Sequence, residues 1–272
     1  MNNIIGFPNI GNTCWLNSLL QCLFNNVLFV GLLDLLPKCH TTELFIQIKE
    51  GIDKGQIDNN MFYQIVQLVQ KQFQIGVPQD AQEAFLYIVD ILCNETSIKL
   101  KDNELETIKK ISSLNSWFKF QQYTKSFVYD AFYTQFHFKT SDNEDRYEPL
   151  LSFQMLYQNT FKESFQEMFE DKDVTMLAPI LSIYIINCKQ ISAIEVLDDF
   201  ELTCTNEIKT IKLHYHFNSC IFHMGNYGGG HYIAVIKRHN KFFLCNDLTI
   251  TEMKDMSIFT KMSPMLLFYS SQ

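Results

Sequence analysis

Phe132-Tyr-Thr-Gln-Phe-His-Phe-Lys139 alternates large aromatic side chains with polar ones. A period of two puts one set on each face of a pleated ribbon, so the stretch reads as a β-strand. It is also where the period of the chain changes. Before it, apolar residues recur at helical spacing. From Thr13, the side chains of Trp15, Leu16, Leu19, Leu20 and Leu23 share one helical face. Residues 61–73 repeat the pattern with Phe62, Ile65, Leu68 and Val69, and Ala81, Ala84, Phe85, Ile88 and Leu92 repeat it again. After it come apolar runs rich in β-branched and aromatic residues: 180–186, 213–217, 231–237, 241–245 and 265–269. His239-Asn240 forms a tight turn between two of them. Helices first and strands afterwards predict an α+β protein.

Finer expectations follow. Asn12 or Thr13 should cap the first helix with its side chain. Pro78 suits the first turn of a helix opening at residues 77–80, where its missing N–H costs nothing. The polar stretches 99–110, 141–149 and 198–209 read as loops. The most apolar segment, 177–188, is broken by Pro179, Ser182 and Asn187. It is shorter than the roughly 20 residues a bilayer demands, so it reads as a buried strand.

Composition narrows the class. The 272 residues are 47% hydrophobic and 14% aromatic, enough to bury a large core and to exclude a disordered chain. Against 30 Asp+Glu there are 22 Lys+Arg, a net charge of −8. That balance speaks against nucleic acid and suits a basic protein or peptide. The first residues lack a basic stretch followed by an apolar run, so no secretory signal is read and a soluble intracellular protein with reduced thiols is expected. Eight cysteines are present and no two are spaced Cys-x-x-Cys. Neither a metal nor a cofactor is therefore expected.

Two places carry chemistry. Cys14 follows Gly11-Asn12-Thr13 at the start of the first helix. The unpaired N–H groups and partial positive charge there favour a thiolate. Asn9 and the backbone N–H of Cys14 could together stabilise an oxyanion. Taken alone, Cys14 reads more readily as a small residue packed under a helix end beside a capping Asn, and a nucleophile would need a histidine to be supplied. His231 follows Gly229-Gly230 and opens a strand; a hairpin would return Asn246 or Asp247 beside it to fix its tautomer. Taken alone, this reads equally as a glycine turn feeding a hairpin.

Together the segments resemble the ubiquitin-specific protease family. Gly6-Phe-Pro-Asn9-Ile-Gly11-Asn12-Thr13-Cys14-Trp15-Leu-Asn17-Ser18-Leu-Leu-Gln21 is similar to its Cys box. Gly229-Gly230-His231-Tyr232-Ile-Ala234, with the ending 242–247, resembles its His box, and Pro78-Gln79-Asp80-Ala81-Gln82-Glu83 resembles its Gln-Asp box. Residues 177–181 and 265–269 resemble two further strands, all in family order.

The resemblance implies a papain-like cysteine protease fold in a single catalytic domain, 1–272. A helical thumb would span about 1–120, with an antiparallel β palm and reduced fingers over about 121–272. It implies Cys14 as nucleophile, His231 as general base and then acid, Asn246 as third triad residue with Asp247 sharing that role, and Asn9 in the oxyanion hole. Gln79, Asp80, Gly229, Gly230 and Tyr232 would bind the substrate tail. The implied reaction is hydrolysis after the C-terminal Gly of ubiquitin through a thioester. Family members often hold zinc in the fingers with two Cys-x-x-Cys pairs, and this chain has no cysteine between Cys93 and Cys188. Another modifier ending in Gly-Gly would suit the same channel. A pseudo-enzyme would bind without cutting, but it would not need Cys14, His231, Asn246 and Asn9 together.

Overall fold

The computed structural model describes residues 3–157, 160–186, 196, 199–226 and 229–271. The helical half comes first: α1 (Cys14–Asn25), α2 (Val27–Leu33), α3 (His40–Asp53), α4 (Asn59–Gln70) and α5 (Ala81–Thr96). Next, β1 (Ile98–Lys99) pairs with β2 (Thr124–Lys125) around α6 (Asp102–Ile108) and α7 (Ser112–Phe120), and α8 (Phe127–Phe132) leads into the strands. The strands β3 (Thr134–Lys139), β4 (Asp145–Leu150) and β6 (Asp173–Met176) form a small antiparallel sheet in the order β4-β3-β6, with β5 (Phe153–Leu156) and α9 (Phe161–Glu167) between them in the chain. There follow β7 (Ile180–Ile186), β8 (Phe200–Thr205), β9 (Thr210–Asn226), β10 (Gly229–Arg238), β11 (Lys241–Asn246), β12 (Thr249–Glu252), α10 (Ser257–Lys261) and β13 (Pro264–Ser271). The large sheet runs β12-β11-β10-β9-β13-β7-β5, with β8 against β9. Its β5–β7 pair is parallel and the rest are antiparallel. The α+β reading holds.

Every residue of α1 is buried. A helix enclosed on all sides belongs to the interior, and α1 lies between the large sheet, chiefly β10, and helices α2 and α5. Its polar residues are not scattered. Asn17, Gln21 and Asn25 recur every fourth position, so they stack along one face. Their amides donate to backbone carbonyls of Phe7 and Pro8, of Ile5, and of Asn218 and Lys237, respectively. This amide stripe laces the segment before α1 to the helix and the helix to the sheet.

The large sheet carries apolar packing on both faces. Along β10, Ala234 and Ile236 join the core shared with the helices, whereas Ile233 and Val235 join a second core on the opposite face. Phe85 of α5 meets Phe132 and Phe268 edge-on at 5.7 and 5.2 Å, joining α5, α8 and β13. In the second core Tyr215 is fully buried and its hydroxyl donates to the Ala178 carbonyl at 2.6 Å.

Several expectations are corrected. The polar stretch 99–110 contains α6, whose start is closed by Glu104 accepting the Lys101 N–H at 2.9 Å. Stretch 141–149 contains most of β4, whose charged residues face solvent on an outer strand. Within 198–209 lies β8, where Phe200, Leu202 and Cys204 alternate with Glu201, Thr203 and Thr205; Asp198 lies outside the described residues. The strand expected from Phe132 starts at Thr134, because Phe132 closes α8. Of the expected strand 177–188, β7 covers 180–186, and Asn187 and Cys188 lie outside the described residues. Pro78 stands before α5 rather than in it, and Asp80 is the cap.

His137, His214 and His216 lie on strand faces, as the alternation implies, and each has a carboxylate partner at 2.8 Å: Asp145, Glu201 and Asp199. Cys22, Cys93, Cys204, Cys220 and Cys245 are buried as expected of small core residues, while Cys39 is partly exposed.

Candidate active site

The loop before α1 is a tight construction. Gly11 and Asn12 both adopt left-handed backbone, φ +66° and +61°. Gly11 accepts the Gly76 N–H and Asn12 donates its amide to the Gly76 carbonyl, so the loop is bound to the turn after α4. Thr13 turns its hydroxyl back to accept the Ile10 N–H, and its own N–H goes to Asn9 Oδ1 at 3.0 Å. Neither Asn12 nor Thr13 therefore caps α1 with its side chain, contrary to expectation. The consequence is chemical: the first N–H groups of the helix remain for Cys14.

Cys14 is 5% exposed. Burial raises its thiol pKa above the ordinary value, and the Asp247 carboxylate adds to the rise. The backbone N–H groups of Tyr232, Trp15 and Cys14 act in the opposite direction, favouring the thiolate. Burial wins, so the resting group is a thiol, and the thiolate expected from the helix start alone does not form by itself. It needs a base.

That base is positioned by two tight turns. The β10–β11 hairpin turns on His239 and Asn240, both left-handed, in register Arg238↔Lys241 through Ala234↔Cys245. The next turn, with Asp247 at φ +48°, starts β12. The hairpin returns Asn246 to His231: Asn246 Oδ1 lies 2.6 Å from His231 Nε2. Oδ1 can only accept, so Nε2 carries the hydrogen and Nδ1 is left as the proton acceptor. The Tyr232 backbone lowers the Cys14 thiol pKa, so the thiol lies near the residue that follows His231.

Asp247 is more than a neighbour of Asn246. Its Oδ2 takes the Asn9 amide at 2.9 Å and its Oδ1 takes the Asn17 amide at 2.6 Å. Its carbonyl accepts the Phe7 N–H at 3.0 Å, and its Oδ2 is 4.0 Å from His231 Nε2. Gly6 lies flat on the following residue: a Cβ there would sit 2.3 Å from the Leu248 carbonyl oxygen. One carboxylate thus pins the thiol-bearing loop to the histidine-bearing sheet. Asn9, expected as an oxyanion donor, spends its amide on Asp247 in this arrangement. Asn17 was not singled out from the sequence; the signal was a polar pair, Asn17 and Ser18, between the apolar residues 14–16 and 19–20 of α1.

Of the residues expected to bind the substrate tail, Gln79, Asp80, Gly229 and Tyr232 line a cleft of about 930 Å³ between the start of α5 and the ends of β7, β9 and β10, and Gly230 does not. Gln79 donates its amide to the Gln74 carbonyl, and Asp80 accepts the N–H groups of Gln82 and Glu83 while capping α5. Asp80 and Glu83 give the cleft an acidic rim. Tyr232 lines it too, and burial, with the Asp80 carboxylate adding to it, pushes its phenol pKa up. The two glycines differ. A Cβ on Gly229 meets nothing within 4 Å, whereas the side-chain space of Gly230 is already filled by His223. Tyr227 and Gly228, between β9 and β10, lie outside the described residues.

The sequence profile described as ubiquitin carboxyl-terminal hydrolase matches residues 5–269. The chain belongs to that family. Its members are thiol-dependent ubiquitin hydrolases, and this chain is one by family. Solved structures of the SAGA DUB module Ubp8/Sgf11/Sus1/Sgf73 share the fold at TM-score 0.71 and 16% identity, covering 99% of this chain and 68% of that one. The module bound to ubiquitin aldehyde gives 0.70 at 15% identity over 99% and 70%. A module with a Cys-to-Ala variant of Ubp8, bound to monoubiquitin, gives 0.69 at 14% over 99% and 69%. No curated protein matches the chain by sequence. Among the described residues no group of three or more His, Cys, Asp or Glu side chains is placed to hold a metal ion, and no single helix is long and apolar enough to cross a membrane.

Proposed function

We propose that Cys14, His231 and Asn246 are the catalytic triad of an intracellular deubiquitinase whose cleft holds the C-terminal tail of ubiquitin. The observation that carries this is the 2.6 Å contact from Asn246 Oδ1 to His231 Nε2, which leaves Nδ1 as the proton acceptor of the ring next in sequence to Tyr232, whose backbone lies by a thiol with a raised pKa. His231 Nδ1 takes the Cys14 proton. The sulfur attacks the carbonyl of the terminal Gly, and the C–N bond breaks as the imidazolium returns its proton to the leaving amine. Water, deprotonated by the same imidazole, then cleaves the thioester. The negative oxygen of each tetrahedral intermediate lies by the start of α1, where the Cys14 N–H is a donor and Asn9 is a second one once its amide leaves Asp247. Asn246 orients the ring without adding charge. Asp80 and Glu83 match a basic tail, and the acidic total charge agrees with that partner.

The test uses ubiquitin carrying a thiol-reactive C-terminus, with related Gly-Gly-ending modifiers in parallel. One adduct at Cys14 with ubiquitin, absent in Cys14→Ala, is expected. An adduct only with another modifier would reassign the substrate. Binding of ubiquitin without any adduct would make the chain a pseudo-enzyme.

A further inference from the structure

α1 and α2 meet at a bend of 86°. With the end of β10 and the tip of the β10–β11 hairpin, the bend encloses a groove of about 450 Å³. The groove is remote from Cys14 and His231. Arg238 lies at the far end of β10 from His231, roughly 23 Å along a strand. Asn25 lies at the far end of α1 from Cys14, roughly 16 Å along a helix. One wall of the groove is apolar. Val27 is 75% exposed at the start of α2, Val30 is half-buried, and a Cβ on Gly31 would meet nothing within 4 Å. The other wall is basic and consists of Lys237, Arg238 and His239. The floor is rigid: the Asn25 amide donates to the carbonyls of Asn218 and Lys237, and its Oδ1 accepts the Arg238 Nε–H at 3.1 Å. Arg238 Nη1 donates to the Asn3 carbonyl at 2.7 Å.

These two partners of Arg238 are neutral, and a guanidinium has further N–H donors to give. Among the described residues, none of Lys237, Arg238 and His239 is in an ion pair, and no acidic side chain lines the groove. Burial lowers the Arg238 pKa, and Asp53 supports its charge only from a distance. In a chain of net charge −8, this is a basic wall without an internal counter-charge, set beside an exposed apolar one. We infer that the groove docks a partner protein through a short acidic segment that carries one bulky apolar side chain. The apolar group covers Val27 and Val30, and the carboxylates meet Lys237 and the planar fork of Arg238. A free anion would use the basic wall alone and leave Val27 in water, and the net charge opposes nucleic acid. A segment held there leaves the cleft beside Asp80 open, so the partner recruits the protein without competing for that cleft.

The experiment selects short random peptides, displayed on phage, against the intact wild-type chain and in parallel against the double variant Val27→Glu/Lys237→Glu. Sequences enriched on wild type alone are expected to carry Asp or Glu beside Leu, Ile or Phe. A synthetic copy of one should bind wild type and weaken as salt is raised. Its Kd should rise about fivefold or more in Val27→Glu and in Lys237→Glu, the scale of one interface anchor. Gly31→Leu should weaken it as much by filling the groove, and it keeps the fold because leucine suits a helix better than glycine. Circular dichroism confirms that each variant is folded. No enrichment on wild type over the double variant, or enrichment of basic or uncharged sequences, would overturn the inference. Binding that inorganic phosphate displaces and that Val27→Glu and Gly31→Leu leave unchanged would reduce the groove to an anion site and overturn it as well. Self-association of wild type in sedimentation, lost in the variants, would assign the groove to a second copy of this chain instead. The readout is binding, so it stands apart from whether the chain cleaves ubiquitin.

Discussion

Asn246 and Asp247 are adjacent but act on different partners. Asn246 reaches the ring of His231, and Asp247 reaches the amides of Asn9 and Asn17. Asn246→Ala should lower kcat by about 10²-fold or more, the scale of general-base catalysis lost with the ring orientation, and leave KM nearly unchanged in steady-state assays. Asp247→Asn keeps the shape and removes a charge that raises the Cys14 pKa. The sign follows: without that charge the thiolate is less disfavoured, so the midpoint of Cys14 alkylation against pH should move down. A midpoint that stays or rises would show that the carboxylate acts mainly through the imidazolium. The positions of Cys14, His231 and Asn246 in the fold were legible because each occupies a local signature: a helix start, a strand start after glycines, a hairpin end. That Asp247 pins Asn9 was not legible, because the bond spans most of the chain and has no local period. The thiol's raised pKa was missed for the same reason, since burial is a property of the fold and the helix start is a property of the sequence.

At the scale of elements, the loop of residues 6–12 and the turn into β12 form one joint. Gly6→Ala would drive a Cβ into the Leu248 backbone, which cannot swing aside as a side chain could. The substitution should cost about 1–3 kcal/mol in denaturant melts and lower turnover, with far-ultraviolet circular dichroism unchanged. Tyr215→Phe tests the opposite core. It strands the buried Ala178 carbonyl and should cost about 1–3 kcal/mol while leaving the pH profile of catalysis alone. Strongly periodic elements such as α1, α4, α5, β7 and β10 were legible from the sequence. The charged strand β4 and the helix α6 were not, because their residues face water and so carry no apolar period. Asp80 outweighed Pro78 as the start of α5 because its carboxylate accepts two N–H groups there, whereas proline only tolerates the position.

For the whole molecule, the helices and the sheet share a core rather than meet at a surface. Phe85 packs on both Phe132 and Phe268. Phe85→Ala should cost about 3–5 kcal/mol, and calorimetry should show a single transition shifted to lower temperature for helical and strand signals together. Two separated transitions would instead indicate a thumb that folds alone. The order of the large sheet adds a temporal dimension. An interior strand, β13 at Pro264–Ser271, is inserted between β9 and β7 and is the last of the described elements to be made. Ribosomes add roughly 5–20 residues each second, so the nascent thumb carries its cysteine for many seconds before the sheet that holds the base can close. Order along the chain is thus order of assembly: the Cys14 thiol is made before the His231 imidazole, and the sheet that carries the imidazole closes only after β13 has followed both.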